Sequence, residues 1–231
     1  MNLHGRTVLV TGATGGLGRE FVRQSLARGA RTVYAAARRD HDWDDDRIIP
    51  LHLDVTDLAS VRAAAAAAGD VEVLVNNAGT TGAASLLESP MDEIRHTFET
   101  NVFGPLELIR AFAPILARDG GGAVVDVHSV LSWLATPGAY SPSKAAFWGV
   151  TNAVRLELAG QGTQVLGAHL AYTDTPMIAH LDVPKSDPAV VVARILDALE
   201  AGEDEAIADE TTAGFRSVLA TATTGRIPSR A

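Results

Sequence analysis

The sequence predicts an α/β domain in which parallel strands form one sheet covered by helices on both faces. Three observations carry this. Short β-branched runs alternate with helical stretches along nearly the whole chain, and the connections between successive strands are long enough to be crossovers. A glycine-rich segment directly follows the first strand, where such folds turn from strand into helix. The 231 residues suit one domain over residues 1–220, and neither an internal repeat nor a linker divides them.

Residues 6–11 (RTVLVT) are a β-branched run that stops at glycine, the mark of a buried strand. Gly12-Ala13-Thr14-Gly15-Gly16-Leu17-Gly18 follows, and Leu17, Phe21, Val22 and Leu26 then fall at helical spacing. Strand, glycine loop and helix in this order put the amides of a helix N-terminus where a diphosphate can sit. The spacing is G-x-x-x-G-x-G rather than G-x-G-x-x-G. Gly12, Thr14, Gly15, Gly16, Leu17 and Gly18 are the candidate phosphate-binding residues. Residues 32–37 read as the second strand and end in Arg38-Arg39. A carboxylate at this strand end bonds the ribose hydroxyls of NAD, whereas an arginine accommodates the 2′-phosphate of NADP. The Ala37-Arg38 tip therefore favours NADP(H), with Arg38 as the phosphate contact. Asp40, Asp42, Asp44, Asp45 and Asp46 follow closely and would oppose a phosphate if they folded back; a solvated acidic loop is the plainer reading.

Residues 48–53 give a third strand closed by Asp54-Val55, and Thr56 or Asp57 caps a helix running through Val61 and the alanine tract 63–68. Residues 71–75 give a fourth strand whose end carries Asn76-Asn77-Ala78-Gly79. Amides at a strand C-terminus suggest a site, with a plain Asn/Gly turn as the alternative. Residues 91–116 are a long helical stretch expected to bend or break at Asn101, Pro105 or Pro114. Residues 123–127 are strand five, and His128-Ser129-Val130-Leu131-Ser132-Trp133 leads from it to Tyr140-Ser141-Pro142-Ser143-Lys144. Tyr140 and Lys144 share one helix face, with Cβ atoms roughly 5–6 Å apart. A cation beside a phenol favours the phenolate and lowers its pKa from about 10, so such a phenol can exchange protons with an alcohol or carbonyl. Residues 164–170 are strand six, 171–177 a loop, 188–200 a helix, 205–208 a short last strand and 214–220 a short last helix. Residues 221–231 read as a mobile tail.

Composition excludes several classes. The net charge of −9 argues against nucleic acid and against an acidic membrane surface. Absence of Cys removes disulfides, thiolate nucleophiles and Cys-ligated metals. No apolar run reaches the roughly 18 residues of a membrane span, and no h-region opens the chain, so a soluble cytoplasmic protein is expected. The histidines show no metal-ligand spacing, and no metal is expected. His128, alternating with Ser129, is read as packing. A Ser/His/Asp hydrolase is set aside because no G-x-S-x-G elbow is present.

Together the motifs resemble the short-chain dehydrogenase/reductase family over residues 3–219. The matching pieces are Thr11-Gly12…Gly16…Gly18, Asp54-Val55, Asn76-Asn77-Ala78-Gly79, Asn101, Ser129, Tyr140-x-x-x-Lys144 and Thr173-Asp174-Thr175. The resemblance implies a Rossmann-type, doubly wound parallel sheet of seven strands, and hydride transfer between a nicotinamide and an alcohol or carbonyl. It implies that Tyr140 is the general acid/base, that Lys144 lowers its pKa and holds the nicotinamide ribose, and that Ser129 bonds the substrate oxygen. Asn101 would interrupt its helix and order a water that relays protons to Lys144. Asp54 and Val55 would face the adenine, Asn77, Ala78 and Gly79 the adenosine ribose, and Thr173 and Thr175 the nicotinamide end.

The chain departs from the family pattern at three points. Ser129 lies eleven residues before Tyr140, closer than usual, with Ser132 as the alternative serine. Leu170-Ala171 replaces the usual Pro-Gly. Gly15 stands where NADP-users often carry a basic residue. A short lid over residues 175–188 and an apolar pocket of Leu131, Trp133, Leu134, Tyr172, Met177, Ile178 and Leu181 suggest a ketone or aldehyde substrate. The expected function is NADP(H)-preferring carbonyl reduction, with NAD-linked alcohol oxidation or a non-catalytic dinucleotide sensor as alternatives. A homodimer or homotetramer through helices around 107–116 and 147–158 is also implied, with Phe147 and Trp148 suiting either an interface or the core.

Overall fold

The structure, a computed structural model, describes residues 1–39 and 41–219. The mobile tail expected at 221–231 and the acidic-loop residue Asp40 lie outside the described residues. Seven strands form one parallel sheet: β1 (Thr7–Thr11), β2 (Thr32–Ala37), β3 (Ile48–His52), β4 (Val73–Asn76), β5 (Ala123–Val127), β6 (Gln164–His169) and β7 (Glu205–Ile207), in the order β3-β2-β1-β4-β5-β6-β7. The chain winds outward from β1 to β3, then crosses back to β4 beside β1. That reversal opens a crevice above the carboxyl ends of β1 and β4.

The central strands β1, β4 and β5 are buried on both faces because helices cover both. Val8, Val10, Val73, Val75 and Val125 pack against α1 (Gly16–Ala27) and α6 (Pro188–Ala201) through Phe21, Val22, Val192, Ile195 and Leu199. The alternate residues Leu9, Leu74 and Val124 meet α2 (Leu58–Ala67), α4 (Gly104–Leu116) and α5 (Tyr140–Leu158) through Val61, Phe112, Leu116, Val154 and Leu158. The period of two is thus read by two separate half-cores. α3 (Met91–Phe98) and α7 (Glu210–Leu219) complete the helices. No helix among the described residues is long and apolar enough to cross a membrane.

Four expectations need correction. β4 begins at Val73, two residues later than predicted, and runs through Asn76. The stretch 91–116 does not break at a proline: Pro105 sits in the first turn of α4, where no amide is required, and Pro114 is carried in its last turns. The interruption is a π-helical turn, Glu99–Phe103, around Asn101. α7 starts at Glu210 rather than 214, because Asp209 supplies a cap that the apolar pattern does not signal. Phe147 is buried in the core, and Trp148 is half-buried with its indole N–H donated to Glu205, so neither forms an exposed apolar face.

Candidate active site

The loops at the carboxyl ends of β1, β4, β5 and β6 converge. Thr11 Oγ1 accepts the amides of Asn77 and Ala78 at 3.0 Å, and Asn77 Nδ2 returns a bond to the Thr11 carbonyl at 2.8 Å. Gly12 has φ +62°, and a Cβ there would lie 3.1 Å from Ala78 Cα. At Gly18 a Cβ would lie 2.1 Å from the Gly12 carbonyl oxygen, so only glycine lets α1 rise this close beneath the loop. A Cβ at Gly16 would lie 2.8 Å from Thr175 Cγ2, which brings Thr175 over the loop. Gly15 caps α1 with no side-chain bond, leaving the first-turn amides turned toward the crevice. This backbone cradle fits a dinucleotide diphosphate.

Arg38 and Arg39 are both exposed just beyond the end of β2. A small cavity there is lined by Thr14, Ala37, Arg39, His41 and Trp43. Arg39, which the strand pattern passes over in favour of its neighbour, therefore faces this recess. The Arg38 charge instead reaches Asp54, whose carboxyl is held below its ordinary range first by hydrogen bonds from the Thr56 amide and hydroxyl, at 2.9 and 2.7 Å. Arg19 adds a second cation, donating from Nε to the Thr14 carbonyl at 3.0 Å.

The π turn presents Asn101 inward. Its Oδ1 accepts the Thr80 amide at 2.9 Å, and its Nδ2 donates to the Thr80 carbonyl at 2.9 Å and to Ser143 Oγ at 3.0 Å. Gly79 runs between Asn101 and Lys144: a Cβ on it would lie 3.3 Å from Asn101 Oδ1 and 3.8 Å from Lys144 Nζ. Val55 packs beneath the same turn, against Gly104.

Ser129, two residues beyond β5, is extended and caps the Val130–Ser132 turn, accepting the Leu131 amide at 3.1 Å. Its hydroxyl also hydrogen-bonds Tyr140. The Ser132 hydroxyl is buried without a partner. Tyr140 opens α5, and Lys144 lies one turn on, its Nζ 5.8 Å from the phenol ring centroid and bonded to the Val127 carbonyl at 2.8 Å. The spacing led us to expect a lowered phenol pKa. In the structure burial dominates and pushes Tyr140 up to about 12, with only the Ser129 hydrogen bond opposing it. Burial likewise pushes Lys144 down to about 8, opposed by the charge of Asp126. At neutral pH the phenol is protonated.

The segment after β6 borders the crevice where Thr175 approaches the glycine loop. Thr173 is buried and pairs with Ser186, whose carbonyl accepts the Asp174 amide at 2.9 Å and whose amide donates to the Tyr172 carbonyl at 2.8 Å. Tyr172 and Met177 stand exposed and Ile178, Leu181 and Leu131 half-buried, while Leu134 is buried. Trp133 stacks on His169 with centroids 4.1 Å apart, beneath the Arg216 guanidinium of α7 at 4.9 Å. His128 is buried edge-on to Phe147.

Sequence reasoning passed over Asp126, His169, Glu205 and Asp209. Asp126 alone left a signal, a carboxylate in the middle of the apolar strand AVVDV. No cluster of metal-ligating side chains occurs among the described residues.

The sequence model of the short chain dehydrogenases matches residues 6–185. The chain belongs to the short-chain dehydrogenase family. It is 34% identical over 199 residues to 2-(R)-hydroxypropyl-CoM dehydrogenase of Xanthobacter autotrophicus, covering 78% of this chain and 80% of that protein. It is 32% identical over 196 residues to the 2-dehydro-3-deoxy-L-rhamnonate dehydrogenase (NAD(+)) of a Sphingomonas species, covering 79% and 78%. Among solved structures it is similar to a short chain dehydrogenase from Burkholderia cenocepacia in complex with NADP, with a TM-score of 0.89, 35% identity and 95% of each chain covered. This short-chain dehydrogenase is accordingly an NAD(P)-binding oxidoreductase acting between CH–OH and C=O groups.

Proposed function

We propose that the enzyme is an NADP(H)-preferring reductase of small, largely apolar ketones or aldehydes. What supports the reductive direction is the Tyr140–Ser129 pair: a phenol protonated at neutral pH, beside the serine hydroxyl, can give its proton to an oxygen that gains negative charge. Ser129 bonds the same oxygen and stabilises that charge. Lys144 holds the nicotinamide ribose hydroxyls, and Asn101 fixes loop 78–80 beside it. The amides of the loop Gly12, Thr14, Gly15, Gly16, Leu17 and Gly18 hold the diphosphate, with Thr173 and Thr175 closing the nicotinamide end. Asp54 and Val55 bound the adenine, and Asn77, Ala78 and Gly79 its ribose. The bound nicotinamide supplies or accepts the hydride. Leu131, Trp133, Tyr172, Met177, Ile178 and Leu181 shape the substrate side, under a lid of residues 175–188.

The NADP(H) preference rests on Arg38 and Arg39 at the β2 tip and is supported by the NADP complex of the Burkholderia relative. The field of Arg38 on Asp54 favours a second reading, NAD-linked alcohol oxidation, in which Arg38 is occupied by that carboxylate. Measuring kcat/KM with NADPH and NADH for wild type, Arg38→Asp and Arg39→Asp separates the two; a wild type with no NADPH preference sinks the first. A carbonyl screen that finds turnover only of charged sugars or acyl-thioesters removes the apolar-substrate assignment. We further propose a cytoplasmic homodimer or homotetramer assembled through the outer faces of α4 and α5, where Leu156 is 79% exposed. A monomer in sedimentation equilibrium would refute this.

A further inference from the structure

Between β5 and α5 lies a polar column in an otherwise apolar half-core. Asp126 has no solvent exposure, yet neither of its hydrogen-bond partners is charged: Asn76 Nδ2 donates to Oδ1 at 2.9 Å and Thr151 Oγ1 to Oδ2 at 2.7 Å. Lys144, 5% exposed, donates to the carbonyl of Val127, the next residue along the strand. Neither Asp126 nor Lys144 has an ion-pair partner within 4 Å among the described residues. Arg155, the other cation whose charge reaches Asp126, is already engaged by the Asp204 carboxylate at 3.7 Å and by the carbonyls of Val165 and Asp204. A buried charge is tolerated only with a compensating one nearby. Here each of two unpaired buried charges is the other's available compensation, across a single peptide group.

We propose that Asp126 is a positioning residue for the Tyr140–Lys144 pair, the buried carboxylate that keeps Lys144 in its ammonium form from beneath the site. The proposal rests on the reading of Lys144 as part of the hydride-transfer machinery. An ammonium at position 144 is what can hold ribose hydroxyls and stabilise charge developing on Tyr140; a neutral amine does neither as well. Burial moves Asp126 up to about 6 and Lys144 down to about 8, so both groups are ionised together between those values. The other titratable groups around the column are Tyr140 and Arg155 on α5, His128 on β5 and His169 on β6. His128 is pushed well below the usual imidazole range, first by burial and then by the charges of His169, Lys144 and Arg155, and contributes no opposing charge at neutral pH. His169 faces Glu205 of β7, which draws that imidazole toward its own carboxylate.

The chain contains only two lysines, Lys144 and Lys185, so lysine labelled with 13C at Cε gives two side-chain signals in the full-length protein, assigned with Lys185→Arg. In wild type the Lys144 signal should titrate near pH 8, with a smaller step near pH 6 as Asp126 takes up its proton. Asp126→Asn preserves the shape and both neutral partners but removes the charge, and should lower the Lys144 midpoint by about one pH unit. The alkaline limb of kcat/KM for carbonyl reduction should move down with it. An unchanged midpoint overturns the proposal, and so does a wild-type titration with no step near pH 6, which needs no variant to fold. A shifted midpoint in an enzyme that reduces no carbonyl counts against the functional reading while the charge coupling stands.

Discussion

Asp209 gives the most direct test of how the substrate side is built. Its carboxylate, 5% exposed, accepts the Thr212 amide at 2.8 Å and the Thr212 hydroxyl at 3.0 Å, capping α7, and the Ala171 amide at 2.8 Å. Asp209→Ala removes the cap, worth about 1 kcal/mol, and leaves the Ala171 N–H unsatisfied, worth about 1–3 kcal/mol. The sum, about 2–4 kcal/mol, corresponds to a fall in Tm of roughly 5–15 °C for a chain of this length. Because Ala171 begins the segment that leads to Thr173 and Thr175, KM for NADPH should rise as well. Asp209→Asn retains an oxygen at the same place and should recover more than half of the loss. Urea denaturation with parallel steady-state kinetics is the assay. A loss below about 0.5 kcal/mol in Asp209→Ala, with KM unchanged, would show that water replaces the carboxylate and that α7 does not hold this loop.

Three other outcomes are expected. Tyr140→Phe should lower kcat/KM about 10²–10⁴-fold while NADPH still binds, measured by nicotinamide fluorescence; retained turnover refutes the proton-donor role. Gly18→Ala places a methyl 2.1 Å from the Gly12 carbonyl oxygen, so the loop must open, costing about 1–3 kcal/mol and weakening NADPH binding at least tenfold by titration. Glu205 is held down to about 2, first by its bond with His169 and then by Arg216 and Trp148, against an ordinary 4.5. Its folded pKa lies below its unfolded one, so its contribution is complete above about pH 4.5 and is lost as pH falls toward 2. Glu205→Gln should flatten the urea-denaturation free energy across that window, and an unchanged acid slope rules the contribution out.

The elements were legible where composition and period agree. The valines of β1, β4 and β5 and the amphipathic faces of α1 and α6 left little choice; the motifs Gly12–Gly18 and Asn76–Gly79 were singled out by their places at strand ends, and Tyr140–Lys144 by its helical spacing together with the family resemblance. The sequence pointed to Asn101 as a helix interruption but not to its form, because a π turn depends on Thr80 and Ser143 completing the amide's bonds. The lowered phenol pKa was misjudged for a related reason. Spacing places a cation near Tyr140, but the burial that overrides its charge is a property of the assembled sheet and helix. The contacts of Asp209 with Ala171 and of His169 with Ser129 leave no local pattern, since the partners lie 38 and 40 residues apart.

The same long-range logic bears on Trp133, expected in the substrate pocket on its position after β5. His169 Nδ1 lies 3.3 Å from the Ser129 carbonyl, an acceptor only, so that nitrogen must carry the proton. The other ring nitrogen then faces the Glu205 carboxylate at 3.6 Å. The imidazole stacks on the Trp133 indole at 4.1 Å, and the Arg216 guanidinium of α7 lies 4.9 Å from the indole's centroid, close enough for a cation–π contact. Trp133 is therefore held by the stacked imidazole from β6 and the guanidinium from α7 as well as by its own loop. The backbone of Ser129 is fixed by the same imidazole, so the position of the serine beside Tyr140 and the wall behind it are set together by an edge strand and a helix more than seventy residues downstream.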